Sequence, residues 1–149
     1  MNIKIKTLTM KKYISLSIAL FTMFTIALSQ PNQNNADSIL GIFWSPKKDA
    51  KIEIFKRGDK YFGKSIWSSS TRKDLKNPNE SLRNRNLLGV EFLSNFIYNG
   101  NGYEDGTIYD PESGKTYDCK ISFSGKNLKV RGYIGISLFG RTELFERVI

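Results

Sequence analysis

The stretch Gly106-Thr-Ile-Tyr-Asp-Pro-Glu-Ser-Gly-Lys-Thr-Tyr-Asp-Cys-Lys-Ile-Ser-Phe-Ser-Gly125, continued by Lys126 to Val148, decides the fold class. Tyr117, Cys119, Ile121 and Phe123 share one parity, while Thr116, Asp118, Lys120 and Ser122 share the other. Alternation with period two marks a strand with one buried face. Asp110-Pro111-Glu112-Ser113-Gly114 precedes it. Its proline sets φ near −65° and its glycine admits positive φ, so it reads as a turn.

Working outward, the same pattern recurs. Ile39 to Ser45, Ala50 to Lys56, Lys60 to Ser68, Leu87 to Phe96, Tyr103 to Tyr109, Lys115 to Ser124, Asn127 to Tyr133 and Phe139 to Val148 are strand candidates. Gly58-Asp59 and Asn99-Gly100-Asn101-Gly102 are hairpin turns. The polar stretch Ser69 to Ser81 interrupts the series, with a helical turn expected near Asn79 to Arg83. About eight strands linked mainly by short hairpins predict an all-β, antiparallel up-and-down barrel, which leaves no exposed sheet edge. A two-sheet sandwich is the alternative.

The first 29 residues have a different character. Lys4, Lys6, Lys11 and Lys12 precede the apolar run Tyr13 to Leu28, and Ala27-Leu28-Ser29 ends it with small residues where a signal peptidase reads. Residues 1–29 are read as a secretory signal peptide cleaved after Ser29, which makes the product exported, either periplasmic or secreted. The run of about sixteen residues is short of the ~20 needed for a membrane span. Residues 30–38 are expected to be a flexible polar leader, and residues 39–149 one barrel domain.

The chain has 23 Lys and Arg against 14 Asp and Glu, a net charge of +9. The signal holds four of those cations and no acid, so the remainder carries 19 against 14, or +5. Such a surface suits contact with an anionic envelope. Nucleic acid is not an expected partner for an exported chain without a nucleic-acid-binding motif. The sequence contains no histidine, which removes Ser-His-Asp and Cys-His catalysis and histidine-bound zinc. Cys119 is the sole cysteine, so no intrachain disulfide forms, and its parity with Tyr117 and Ile121 makes it a packing residue. The acidic residues are too scattered for a calcium loop, and no glycine-rich loop precedes a helix; no metal or cofactor is expected. Glu104-Asp105 is set aside as an acid–base pair because adjacent strand residues face opposite sides. The Arg57-Gly58-Asp59 tripeptide is explained by its hairpin, and the sequon Asn79-Glu80-Ser81 matters only in a eukaryotic secretory pathway.

Three ordered blocks carry a family resemblance: Asp74-x-x-Asn77-Pro78-Asn79-x-x-Leu82-Arg83-x-Arg85-x-Leu87-Leu88-Gly89; Ile108 to Tyr117; and Leu128 to Gly135 followed by Phe139-Gly140-Arg141-Thr142. Over about Ile39 to Val148 the chain resembles the bacterial domain of unknown function 2147 family. That resemblance implies a secreted or periplasmic protein with a lipocalin-like barrel, and it brings no established activity. In lipocalin-like barrels a first-strand Trp packs under an Arg from the chain end, which predicts a Trp44–Arg147 contact closing the barrel. Gly41-Ile42-Phe43-Trp44 sets that Trp one residue later than the lipocalin Gly-x-Trp.

Arg131 and Tyr133 share a strand face, as does the Arg-x-Tyr pair with which fatty-acid-binding barrels hold a carboxylate. They are a candidate ligand pair, or else an exposed pair, since Leu128 and Val130 have the other parity. Arg83, Arg85 and Arg141 accompany Asp74, Asn77 and Asp110 in the motif loops. They form either an anion or sugar site at the barrel mouth, or ion pairs that tether a long loop. The leading functional expectation is binding of a small amphipathic or lipid-like ligand. A ligand-free structural or interaction module of the envelope is the alternative, and an enzyme ranks last. An interior of roughly 300 Å³ or more with a few polar groups separates carrier from filled barrel. Nothing in the pattern sets an oligomeric state.

Overall fold

The computed structural model describes residues 33–149. The expected signal peptide lies outside the described residues. Eight strands follow in order: β1 (Gly41–Trp44), β2 (Ala50–Arg57), β3 (Lys60–Ser68), β4 (Glu91–Tyr98), β5 (Tyr103–Asp110), β6 (Lys115–Ser124), β7 (Asn127–Tyr133) and β8 (Arg141–Arg147). Each pairs antiparallel with its sequence neighbour, and β8 returns to β1, so the sheet is a closed barrel rather than a sandwich.

Alternation decides what faces inward. Across the ladders, Phe43 pairs with Ile52 and Ile52 with Ser65. Gly63, Leu93, Ile108 and Tyr117 are likewise joined in register, as are Tyr103, Ile121, Val130 and Glu143. The inward parity of Tyr117, Cys119, Ile121 and Phe123 holds, and Cys119 is fully buried. Burial raises its thiol pKa to about 12. At one end the interior is filled by aromatic rings: Tyr103 packs against Tyr61 and Tyr98, both at 5.1 Å between centroids. Gly106 is required there, because a Cβ at that position would overlap the Phe96 ring.

Several boundaries differ from the expected ones. Within the expected leader, Gln33–Ile39 forms a 3-10 helix, and residues 30–32 lie outside the described residues. Polar composition hid its role, which lies in side chains meeting the barrel from outside the strands. Ile39 is fully buried, the Ala36 carbonyl accepts from Tyr103 Oη at 2.7 Å, and Asp37 accepts from Tyr61 Oη at 2.5 Å and Lys56 Nζ at 2.8 Å. Leu87 belongs to the preceding loop and Phe139 to a 3-10 turn, Ser137–Phe139, so β4 and β8 begin later than their apolar runs. The helical turn expected near Asn79 to Arg83 is Glu80–Leu82, with Asn79 as its N-cap. A register shift between Tyr103 and Gly106 leaves both Glu104 and Asp105 exposed on the outside, so bulging rather than alternation keeps them out of the interior.

The expected Trp44–Arg147 contact is replaced by another. Trp44 has outward parity: it pairs with Lys51 and Glu146, and its ring meets Trp67 edge-on at 5.6 Å. Phe43 points inward, and the Arg147 guanidinium lies 4.4 Å from its ring centroid. Arg147 also donates to the carbonyls of Ser38 at 2.7 Å, Leu40 at 2.9 Å and Lys126 at 3.3 Å. Gly41, at φ 140°, leaves room for this guanidinium, since a Cβ there would come within 2.5 Å of Arg147 Nη1.

Two stability outcomes follow. Arg147→Ala is expected to cost about 2–4 kcal/mol in urea unfolding, from lost charge-assisted hydrogen bonds and the cation–ring contact, while Trp44→Ala costs less. Gly106→Ala is expected to cost about 1–3 kcal/mol by overpacking against Phe96.

Candidate functional site

Strand order places four connections at the end of the barrel opposite the N-terminal 3-10 helix: residues 45–49, 69–90, 111–114 and 134–140. This end is the barrel mouth. Its chemistry is legible along the inward row shared by β7 and β8. Leu128 opposite Phe145 is apolar and buried. Val130 opposite Glu143 comes next, and Gly132 opposite Arg141 reaches the rim. Arg141 Nε and Glu143 Oε1 form an ion pair at 2.5 Å, with the Arg141 side chain 86% exposed. Half-buried Ile108 and Tyr117 continue the mouth surface on β5 and β6. The interior thus grades from a packed apolar floor to a charged rim.

The long connection between β3 and β4 is clamped by one carboxylate. Asp74 is fully buried. It accepts from Tyr109 Oη at 2.5 Å, Asn77 Nδ2 at 2.7 Å, Arg85 Nη2 at 2.8 Å and Arg85 Nε at 3.0 Å. A bridge between Lys73 and Asn86 closes the base of the loop. Arg83 Nε donates to the Asn77 carbonyl at 2.9 Å and Nη1 to Glu80 at 3.0 Å. The loop presses on the next turn so closely that a Cβ on Gly114, at φ 72°, would overlap the Lys76 carbonyl. Exposed ion pairs join the neighbouring connections: Lys47–Glu112 at 3.1 Å, Arg72–Asp49 at 3.4 Å and Arg72–Glu112 at 3.5 Å. Such surface pairs hold geometry more than they add stability.

The residues singled out from sequence therefore separate. Arg131 and Tyr133 lie on the outer face, because Leu128 and Val130 occupy the inward positions of β7. Arg131 binds the β7–β8 connection instead, donating to the carbonyls of Ser137 at 2.7 Å and Leu138 at 3.0 Å. Arg85 and Arg83 serve the loop, in keeping with tethering. Asp110 accepts from Ser113 Oγ at 2.6 Å within its own turn and takes no part in the Asp74 cluster. Arg141 alone of the five belongs to the inward row. Tyr109, Tyr117 and Glu143 stand at the clamp and the mouth without being among the expected site residues. The parity of Glu143 with Phe145 is visible in sequence, but its pairing with Val130 is not.

Two open grooves lie on the barrel surface, one beside the mouth and one along the outer wall. One of about 570 Å³ is lined by Arg85, Asn86, Leu88, Gly89, Val90 and Glu91. The other, about 320 Å³, runs from the β4–β5 turn at Asn99, Asn101 and Gly102 along the outer face, past Glu104, Lys120, Lys129 and Arg131. Both are surface features and neither is the barrel interior.

The Asp74 cluster sets a pH window. Burial of the carboxyl opposes ionisation, but the hydrogen bonds from Tyr109, Asn77 and Arg85 outweigh it and hold the pKa below 3.8. Its stabilisation is complete above pH 3.8 and is lost as pH falls through the lower folded value. Burial, then Asp74, raises Tyr109 from 10.0 to about 12, so its contribution is complete below pH 10 and is lost as pH approaches 12. Asp74→Ala is expected to cost about 2–4 kcal/mol, because it strands Arg85 and Tyr109. Hydrogen exchange should reveal loss of protection at the amides of Asp74, Arg85 and Leu87.

The family described as an uncharacterized protein conserved in bacteria (DUF2147) matches residues 41–147. No curated protein matches the chain. Among solved structures, protein HP1028 from the human pathogen Helicobacter pylori, described as belonging to the lipocalin family, is 29% identical. The match covers 74% of this chain and 83% of that one, with a TM-score of 0.68. The matched span takes in all three sequence blocks, the Asp74 clamp and the β7–β8 row: this chain belongs to the DUF2147 family, built on a lipocalin-like barrel.

Proposed function

We propose that this domain is exported and binds a small amphipathic molecule at the mouth of its barrel. The observation that carries the reading is the graded inward row, from Leu128–Phe145 through Val130–Glu143 to Gly132–Arg141. An apolar portion would rest on Val130 and Ile108, and an anionic head would meet Arg141, with Tyr117 as a further donor. Arg suits a carboxylate or phosphate because its planar donors match two oxygens at once. In the free protein Glu143 neutralises Arg141, so a ligand head must displace or share that partner. The relationship to a protein described as a lipocalin supports a ligand-binding reading. The filled floor around Phe43, Tyr61, Phe96 and Tyr103 favours a shallow site over a deeply engulfed ligand.

The same filled floor favours the second reading, a ligand-free interaction module of the envelope. Catalysis has less support. Every shifted group among the described residues moves away from neutrality: Asp37 and Asp74 downward, Lys56 upward, and Tyr61, Tyr103, Tyr109, Cys119 and Tyr133 upward. A general acid or base gains efficiency when its pKa approaches the working pH.

Titration with a dansyl-labelled undecanoic acid tests the site. Saturable binding is expected, weakened about tenfold by Arg141→Ala, equivalent to ~1.4 kcal/mol. Arg131→Ala should leave the affinity unchanged. Unsaturable binding, or equal effects of both variants, would favour the module. Export is checked by intact mass of the protein from its host, expected to correspond to a chain starting at Gln30.

A further inference from the structure

The groove on the outer wall is built from polar groups. It starts at the β4–β5 turn and crosses β6 and β7 to Thr142 on β8. Its volume of about 320 Å³ falls within the ~300–1,000 Å³ span of small-molecule sites. Its depth comes from short side chains. Gly102 lies so close to β6 that a Cβ there would come within 2.8 Å of the Ile121 carbonyl oxygen. Ser122 stands opposite Lys129, next to the opposed pair Lys120 and Arg131. Both ends are fixed. The Asn99 side-chain oxygen accepts from the amides of Asn101 at 3.0 Å and Gly102 at 2.9 Å. At the other end Arg131 holds the Ser137 and Leu138 carbonyls and donates to Thr142 Oγ1 at 2.7 Å. A groove already ordered costs a ligand little conformational entropy to enter.

Its charges are unevenly matched. Lys120 and Arg131 are direct cross-strand neighbours, an arrangement that like charges disfavour. Lys129 adds a third cation, and Glu104 is the one acid in the lining. Asp105 and Asp118 lie outside it, toward the mouth. Among the described residues neither Lys120 nor Lys129 belongs to an ion pair. The donors of Arg131 serve its own loop, so Lys129 and Lys120 are the cations with N–H groups to offer. Lys120 keeps two beyond its 3.2 Å contact with Ser137 Oγ.

We infer that this groove binds an acidic saccharide, a short chain of sugars carrying carboxylates. The lining selects that chemistry. Ile121 is only 2% exposed and contributes backbone, so no large apolar side chain lines the groove. A lipid tail has nothing to rest on, and a nucleic-acid base finds no ring to stack against. All eight strands of the closed barrel are paired on both sides, so a peptide finds no sheet edge to extend. The surplus of cations calls for negative charge. Glu104 repels a bare anion such as phosphate but accepts from hydroxyls, which a sugar supplies. The amides of Asn99 and Asn101 and the hydroxyls of Ser122 and Thr142 offer donors and acceptors to the same groups. The site is separate from the mouth, because its side chains face outward while Arg141 and Glu143 share the inward row.

Titration of the isotope-labelled protein with trigalacturonic acid, followed by amide NMR shifts, tests the assignment. Saturable shifts are expected at Asn99 to Gly102, Ser122 and Lys129. Lys129→Glu alters an exposed side chain and should leave the barrel folded. It should weaken binding about tenfold, the scale of one lost charge-assisted hydrogen bond. Lys115→Glu makes the same change of net charge at the far end of β6 and should leave the affinity unchanged. Neutral maltotriose and inorganic phosphate should each bind at least ~tenfold more weakly, since one lacks the charge and the other the hydroxyl donors. Shifts that fail to saturate, or that centre on Tyr117 and Glu143, overturn the inference. Equal weakening by the two lysine variants overturns it too, by showing diffuse attraction to a basic surface. So does maltotriose or phosphate binding as tightly as trigalacturonic acid. Fatty-acid titration at Arg141 is a separate readout, so either reading can fail without the other.

Discussion

The barrel depends on its seam. β1 meets β8 through only the pairs Phe43–Arg147 and Trp44–Glu146, against seven pairs between β6 and β7. So short a ladder leaves the first strand poorly held by backbone hydrogen bonds alone. Arg147 supplies what is missing: one guanidinium lies over Phe43 and binds carbonyls before β1 and in the β6–β7 turn. Because a cation binds carbonyls more strongly than a neutral donor does, one side chain can join three segments distant in sequence. If the seam opened, the inward row of β8 would lose the wall against which it is defined.

Closure leaves the two ends with different work. The N-terminal end is plugged by Ile39, Tyr61 and Tyr103, whose polar tips are satisfied by Asp37 and the Ala36 carbonyl. The mouth is organised instead by charge. Asp74 converts a polar loop of uncertain path into a fixed rim, since a buried carboxylate tolerates only an arrangement that supplies all its donors. With that rim set, Arg141 and Glu143 stand at the entrance to the apolar row. The rim also explains why Arg83 and Arg85 are poor candidates for ligand binding, as their donors serve Asp74, Asn77 and Glu80.

Trp44 and Phe43 mark how far a pattern can be read. Gly41-x-Phe43 has the Gly-x-aromatic spacing that Gly-x-Trp has, and Phe43 rather than the larger Trp44 lies under Arg147. Strand parity is consistent with this, because Phe43 shares its face with Gly41. Arg131 and Tyr133 teach the same lesson. Their parity opposes Leu128 and Val130, and two buried aliphatic positions outweigh an attractive pair of polar ones. The Gln33–Ile39 helix had no such signal, since the Asp37 carboxylate and the Ala36 carbonyl satisfy partners that lie 24 and 67 residues away.

Sequence alone determined the number and order of the strands, their hairpin turns and the inward parity of Tyr117, Cys119, Ile121 and Phe123, though not where β4 and β8 begin. These rest on neighbours one to four residues apart, where alternation and turn chemistry are local. It also determined the absence of histidine and of an intrachain disulfide, which are matters of composition. Only the tertiary structure decided which arginine reaches the mouth, which clamps a loop and which fastens the β7–β8 connection. Those roles depend on register across the ladders and on contacts between segments far apart in the chain, and no local pattern encodes a partner's position in space.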